Sequence, residues 1–132
     1  MDVGIIRADD RSAAFFEAAA RDVLLIKRCT GCSRWLDPGA TGCPRCGAAD
    51  PRWERAAGRG RLISWAVLPA GKAEPAPSVL ALVELDEGPW LRTRLEGTGA
   101  AGTAGLRAGV RVRARFVHPA EGESYPVFTP GD

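Results

Sequence analysis

The four cysteines of this 132-residue chain fall into two close pairs. Cys29 and Cys32 form the first pair, Cys43 and Cys46 form the second, and ten residues separate the pairs. A Cys-x2-Cys turn lets two thiolates converge on one metal ion, so two such turns supply the four ligands of a tetrahedral site. The sequence therefore predicts one zinc ion held by all four thiolates.

The residue that follows each pair supports this prediction. Ser33 follows the first pair and Gly47 follows the second, and both residue types suit the tight backbone path of a metal-binding loop. Four protein thiolates close the coordination shell and leave no position for water or substrate. We therefore expect a structural ion rather than a catalytic one.

Two other uses of the cysteines are open. Two disulfides would require an oxidising compartment, but residues 1–10 have no basic region before a long apolar one, so we expect no secretory signal and a cytoplasmic location. Iron in the same four-sulfur tetrahedron would give a rubredoxin-like electron carrier, because this geometry does not separate the two metals.

Composition and the remaining motifs narrow the function classes. The formal net charge is +2, which lacks the excess of a nucleic-acid footprint, and no apolar run approaches the ~18 residues of a membrane span. We find no P-loop and no dinucleotide fingerprint. The single histidine, His118, has no Ser-His, Cys-His or paired-carboxylate arrangement around it in the sequence, so the commonest catalytic signatures are missing.

The segments around the cysteines predict a small zinc ribbon. Residues 10–22 read as an alanine-rich helix capped by Asp10 or Ser12. Residues 23–28 form a strand that leads into the first cysteine pair, and residues 35–36 and 53–55 form two further short strands. Residues 23–57 have too little core to fold well alone, so we expect metal binding to contribute to their folding free energy.

From residue 58 onward the pattern changes to strands. Five short strands are predicted, at residues 59–68, 79–86, 90–96, 110–118 and 125–129. Residues 69–77 read as a flexible loop, and residues 97–109 as a small-residue connection with a helical turn near 103–107. This pattern is typical of a five-stranded Greek-key OB-fold barrel. The chain is thus mainly β, with an N-terminal helical segment (1–22), a zinc ribbon (23–57) and an OB-fold domain (58–132).

Two surface features have a structural and a functional interpretation. Phe15 and Phe16 lie on the predicted helix, where they either pack on the chain's own core or dock on a partner. Strand alternation places several arginines on outer faces: Arg92, Arg94, Arg111, Arg113 and Arg115. If their strands were neighbours, these five would form an anion-binding surface. A solvated exterior paired with Glu84, Asp86 and Glu96 is the favoured interpretation.

The order of helix, four-cysteine ribbon and five-strand barrel resembles a family of small zinc-ribbon/OB-fold proteins associated with acyl-CoA metabolism. The resemblance covers nearly the whole chain. It rests on residues 15–17, 25–32, 43–47, 58–65, 77–88, 106–112 and 126–130. The chain departs from the family pattern mainly in the Gly/Ala-rich connection at 97–105, so no ligand contact is transferred to that segment.

The resemblance implies a role that cysteine spacing does not show. Members of this family generally lack catalytic residues and bind thiolase-like enzymes: acetoacetyl-CoA thiolases, acyltransferases and the aldolases that cleave steroid side-chain CoA thioesters. Their barrel helps to form the acyl-CoA channel or the partner's active-site entrance. We therefore expect a non-catalytic accessory subunit in a symmetric hetero-oligomer with such an enzyme. The alternative is a nucleic-acid-binding module, since OB barrels and zinc ribbons both serve that purpose.

Overall fold

A computed structural model describes residues 5–72, 76–99 and 102–131 of the chain. In these ranges one helix is followed by eight strands: α1 (Ala13–Ala19), β1 (Leu25–Arg28), β2 (Trp35–Leu36), β3 (Arg52–Arg55), β4 (Arg59–Leu68), β5 (Ser78–Leu85), β6 (Trp90–Leu95), β7 (Arg111–Val117) and β8 (Tyr125–Pro130). This confirms the predicted fold class. None of the described helical residues forms a segment long and apolar enough to cross a membrane.

The helix is shorter than the predicted 10–22. Ser12 occupies the N-cap position of α1, but its side chain makes no capping hydrogen bond. Instead, the Ser12 Oγ–H donates to Asp9 Oδ1 at 2.7 Å, and the same oxygen accepts the backbone N–H groups of Arg11 and Ser12. Aspartate competes for local N–H groups in this way, and the resulting turn delays the start of the helix.

The ribbon is a three-stranded antiparallel sheet in the order β2-β1-β3. Central strand β1 pairs Lys27 with Leu36 on one side and with Trp53 on the other. The Lys27 ammonium lies 4.7 Å from the Trp53 ring centroid and donates to the carbonyl of Ala40 at 2.8 Å. Lys27 thus attaches the segment between β2 and the second cysteine pair to the sheet.

The five remaining strands close a barrel in the order β4-β5-β6-β8-β7, with β7 pairing back onto β4. This is the Greek-key order predicted for an OB fold. All pairs are antiparallel except β6 and β8, which are parallel and share the single register pair Leu95–Phe128. The barrel core is made of side chains that are almost fully buried, and Ile26 of the ribbon belongs to the same cluster. The ribbon and barrel therefore share one hydrophobic core.

The strand order changes the predicted arrangement of arginines. Because β8 lies between β6 and β7, these two strands are not neighbours. The condition for a common surface of five arginines, that β6 and β7 are neighbours, is therefore not met. Strand β7 borders β4 instead, and this brings in Arg59 and Arg61, which the sequence reasoning did not consider. Arg94 of β6 and Arg115 of β7 both pair with the carboxylate of Glu96, which confirms the predicted pairing of exterior arginines with Glu96.

The two predicted connections lie only partly within the described residues. Residues 73–75 of the flexible loop at 69–77, and residues 100–101 of the small-residue connection, are outside them. In the described part of the second connection, the Leu106 N–H donates to the carbonyl of Thr103 at 3.1 Å. This is one hydrogen-bonded turn at the position where a helical turn was predicted.

Gly60 on β4 sets how closely β4 and β5 approach. A Cβ atom at Gly60 would lie 2.2 Å from the backbone oxygen of Glu84 and 3.1 Å from Leu85 Cα. We expect Gly60→Ala to lower the free energy of unfolding by about 2–3 kcal/mol, because backbone atoms must move to relieve this overlap. Urea denaturation followed by circular dichroism measures it.

Gly105→Ala is the matched control, since its new Cβ would meet nothing within 4 Å. It should change the free energy of unfolding by less than about 0.5 kcal/mol. Equal stabilities for the two variants would contradict the close β4–β5 packing.

Candidate metal centre and charged surface

The first cysteine pair lies in the loop that joins β1 to β2. The Cys29 N–H donates to the carbonyl of Arg34 at 2.8 Å, and the Ser33 N–H donates back to the carbonyl of Cys29 at 3.2 Å. Ser33 has a φ of +64°, in the left-handed region that reverses the chain. The predicted turn-forming role of Ser33 is confirmed.

The second cysteine pair repeats this arrangement at the same sequence offsets. The Cys43 N–H donates to the carbonyl of Ala48 at 2.9 Å, and the Gly47 N–H donates to the carbonyl of Cys43 at 2.9 Å. Gly47 has a φ of +80°. Two loops of equal geometry therefore present their cysteines to a common point.

All four thiols converge and are free of disulfides. Their Sγ atoms lie within 4.8 Å of one another, with 3.3 Å between Cys29 and Cys46 and 3.7 Å between Cys32 and Cys43. A tetrahedral ion with metal–sulfur bonds of about 2.3 Å has its sulfurs roughly 3.8 Å apart. This is the arrangement of a structural metal site. The four free thiols do not match the alternative of two disulfides.

Backbone hydrogen bonds favour thiolates at the first cysteine of each loop. The Cys32 N–H, with the Cys46 thiol and Gly31 N–H adding to it, lowers the pKa of Cys29 to about 6. The Cys46 N–H lowers the pKa of Cys43 in the same way. The Ala48 N–H also acts to lower the pKa of Cys46, but the other cysteines and burial outweigh it and raise that pKa to about 11. A cation is needed before all four sulfurs can be ionised together.

The surroundings of the thiols also fit a bound ion. A Cβ atom on Gly31 would lie 3.1 Å from Cys46 Sγ, so the first loop approaches the second closely. Arg28 supports the first loop by donating to the carbonyl of Ser33 at 2.8 Å, while its guanidinium lies 4.4 Å from the Trp35 ring centroid. The first loop is therefore supported by a contact of Arg28 that does not use the thiols.

The structure brings His118 into a Ser-His-Asp chain that the sequence analysis did not find. His118 Nδ1 lies 2.8 Å from Ser124 Oγ, and Nε2 lies 2.7 Å from Asp22 Oδ1. Asp22 is 96 residues away from His118, so sequence proximity gave no signal. Five cavities on the described surface have none of these three residues in their walls. The group joins the end of the helical segment to the barrel.

The largest of these cavities is an open cleft of about 680 Å³ between the ribbon and the β5–β6 turn. Trp35 and Trp90 both line it, with Arg34 and Arg45 on the ribbon side. Glu87, also in its wall, accepts the Ala57 N–H at 2.7 Å. The cleft therefore mixes aromatic faces with charges of both signs, and sequence reasoning did not anticipate it.

Phe15 and Phe16 are both half-buried. Phe15 packs against the common core and lies 6.3 Å from the Trp53 ring centroid. Phe16 meets Phe15 edge to face, with ring centroids 5.3 Å apart. The packing interpretation thus accounts for Phe15, while the exposed part of Phe16 stays available for the predicted partner interface.

The outer face of β4, β5 and β6 carries apolar side chains that the sequence analysis did not single out. Leu68 is 45% exposed, Leu80 is 39% exposed and Trp90 is 53% exposed. Ala66 lies opposite Leu80 and extends this face across β4. The outer face of an antiparallel sheet is usually polar, so these side chains mark a surface suited to contact.

The other end of β4 carries arginines. Arg59 lies opposite Arg113, and Arg61 lies opposite Arg111, so four guanidinium groups share the outer face of two neighbouring strands. Arg111 holds Asp86 through two hydrogen bonds of 2.9 and 3.1 Å. The predicted pairing of exterior arginines with Asp86 is thus confirmed.

Comparison with known proteins gives the fold and site their context. A family model described as "ChsH2, C-terminal OB-fold domain" matches residues 53–117. A chain of the solved structure "Ltp2-ChsH2(DUF35) aldolase" is 34% identical with a TM-score of 0.78, covering 93% of this chain and 96% of that one. The chain belongs to the ChsH2 (DUF35) family.

Two further relatives are more distant or only partly aligned. A DUF35-family structure of unknown function from Sulfolobus solfataricus has a TM-score of 0.63 at 13% identity, covers 94% of this chain and 87% of that chain, and supports the fold alone. A "Probable enoyl-CoA hydratase alpha subunit" from Thermomonospora curvata is 42% identical over 88 residues, which are 65% of this chain. The aligned part spans 28% of that relative's length.

The Asp86–Arg111 pair predicts a specific pH dependence. The Arg111 hydrogen bond lowers the pKa of Asp86 below its ordinary value of 3.8, so the pair stabilises the fold above that pH and is lost as pH falls through the lowered pKa. We expect Asp86→Asn to cost about 0.5 kcal/mol at pH 7, since the pair is partly exposed. In urea titrations the cost should shrink as pH falls below the ordinary pKa of 3.8 and disappear below the lowered pKa of Asp86. A cost independent of pH would contradict this ion pair.

Proposed function

We propose that this chain is a non-catalytic accessory subunit of an enzyme complex that acts on acyl-CoA thioesters. The observation that carries the proposal is the likeness, along 93% of this chain, to the ChsH2(DUF35) chain of an aldolase. The relative described as a hydratase alpha subunit points to the same CoA chemistry. The partner is a thiolase-like enzyme: a thiolase, an acyltransferase or a steroid side-chain aldolase.

The described residues support a binding role over a catalytic one. Four thiols converge on one point and would close the coordination shell of an ion there. The Ser-His-Asp chain at His118 lies on the surface, with side-chain exposures of 46% for His118 and 67% for Asp22. In this proposal, the partner supplies the reacting groups, and this chain supports its assembly and its acyl-CoA access in a symmetric hetero-oligomer.

The ion in this proposal is zinc, held by Cys29, Cys32, Cys43 and Cys46. Zinc would supply no reaction chemistry; it would neutralise the thiolates and cross-link the two loops. The ribbon needs that cross-link, because only Cys29, Leu36 and Cys43 form its separate buried cluster. Iron remains the alternative, since the sulfur ligands suit both metals.

We expect the purified chain to be colourless and to contain one zinc per chain. Cys43→Ser should reduce bound zinc to less than about one tenth and abolish cooperative melting of the ribbon, because zinc binding is part of its folding free energy. Metal analysis by mass spectrometry and thermal melts measure both effects. A red, iron-loaded protein would instead support the redox alternative.

One variant of the same loop provides the control, and a second variant tests how closely the two loops pack. Thr30→Ala, which leaves every sulfur in place, should keep its zinc. Gly31→Ala should bind zinc more weakly in a chelator competition, because its Cβ would lie 3.1 Å from both Cys46 Sγ and Ala48 Cβ.

The aromatic side chains weigh against the nucleic-acid alternative. Single-strand binding by an OB barrel uses aromatic rings exposed together on one face. Here Trp65 and Phe116 pack against the core, while Trp90 lies on the outer face. On the barrel, Trp65, Phe116 and Trp90 therefore do not form a common stacking surface.

Co-expression with the thiolase-like protein encoded nearest to this chain tests the main proposal. We expect the two proteins to co-elute in size-exclusion chromatography and the enzyme to lose activity when this chain is omitted. Elution as a lone zinc protein with no effect on that activity would contradict the accessory role.

The predicted contact at Phe15 and Phe16 is tested in the same complex. Because Phe15 also supports the core, Phe16→Ala is the informative change, and we expect it to weaken the complex about tenfold, as truncation of an aromatic anchor does. Ile5→Ala is the control, since Ile5 is 54% exposed and lies outside the helix.

A further inference from the structure

The arginine patch, defined as Arg59, Arg61, Arg111 and Arg113, opposes like charges across neighbouring strands. Arg59 faces Arg113 and Arg61 faces Arg111. Directly opposed like charges destabilise a sheet, so the fold itself gains nothing from this pairing. Arg59, Arg61 and Arg113 are exposed. An anion from outside the barrel would offset the repulsion between these opposed charges.

Carboxylates of the described residues balance the patch only in part. Asp86 is held by Arg111, and the charges of Arg61 and Arg59 also help to lower the pKa of Asp86. Glu84 lies opposite Arg61, but its carboxylate accepts the indole N–H of Trp90 at 3.3 Å. Among the ion pairs of the described residues, none involves Arg59 or Arg113.

The shape of the surface identifies the kind of anion. The four arginines are absent from the walls of the five cavities described above. An open surface suits another protein surface better than a small ligand, which needs a concave site. The aromatic rings that a single-stranded nucleic acid would need do not alternate with these arginines on β4 or β7.

We propose that the arginine patch is a docking site for an acidic surface of a partner protein. The Arg111–Asp86 pair shows the mode of recognition within the chain itself, a carboxylate that accepts hydrogen bonds from Nη1 and Nη2 of one guanidinium. The patch continues along β4 into the apolar face at Ala66 and Leu68. The partner surface therefore has aspartates or glutamates beside an apolar region.

This inference rests on the proposed function for the identity of the partner, the thiolase-like enzyme. The test measures the association rate constant of the zinc-loaded chain with that enzyme by stopped flow at several salt concentrations. We expect Arg59→Glu with Arg113→Glu to slow association at least tenfold at low salt, with the difference shrinking as salt rises. Arg21→Glu with Arg55→Glu, of equal charge change on exposed residues elsewhere, should slow it less than about threefold.

A neutral variant separates docking from folding. Arg59→Gln with Arg113→Gln removes the opposed charges, so its Tm should rise by about 2 °C while association slows. If the wild-type complex forms and both double-glutamate variants associate alike, the patch proposal is overturned and the accessory role stands. If pyrophosphate raises the wild-type Tm but the substitutions leave association unchanged, the patch binds small anions and the proposal also fails. If no complex forms with the wild type, both proposals fail together.

Discussion

The convergence of four sulfur atoms within 4.8 Å is the constraint on which the ribbon depends. Thiolates at this separation repel one another, and the ribbon has a very small buried cluster of its own. The two loops reduce the repulsion with backbone N–H groups, which point at Cys29 and Cys43. A cation at their centre would convert the remaining repulsion into a cross-link between segments otherwise joined by short strands.

The ribbon in turn is part of the barrel's interior. Ile26 on β1 and Leu24 just before this strand belong to the same buried cluster as Leu62 and Phe128 of the barrel. Central strand β1 therefore connects the cysteine loops at one end with the common core at its middle. Because of this shared core, the orientation of the cysteine loops relative to the barrel surface is set by packing, and the cleft between them has a defined shape.

The sequence was sufficient to predict a structural element where one local pattern determined that element. The spacing of the cysteines and the turn formers after them predicted both loops. Alternation in residues 90–96 and 110–118, with strand-like composition between turns elsewhere, predicted all five barrel strands. Contacts between residues far apart in the sequence could not be predicted in this way. The order β6-β8-β7 separates Arg92 from Arg111, and the contact of His118 with Asp22 spans 96 residues. The helix began late because the Asp9 side chain competes for local N–H groups, an effect that helix propensity does not include.

The single register pair between β6 and β8 has a consequence for how the barrel moves. Four of its five seams are antiparallel ladders, whereas the fifth has the single register pair Leu95–Phe128, at which the Glu96 N–H donates to the Phe128 carbonyl. Toward Leu91 and Tyr125 the strands diverge around a cavity of about 320 Å³. Breathing of the barrel should therefore begin at this seam, where the fewest hydrogen bonds must break, and leave the β4–β5 face rigid.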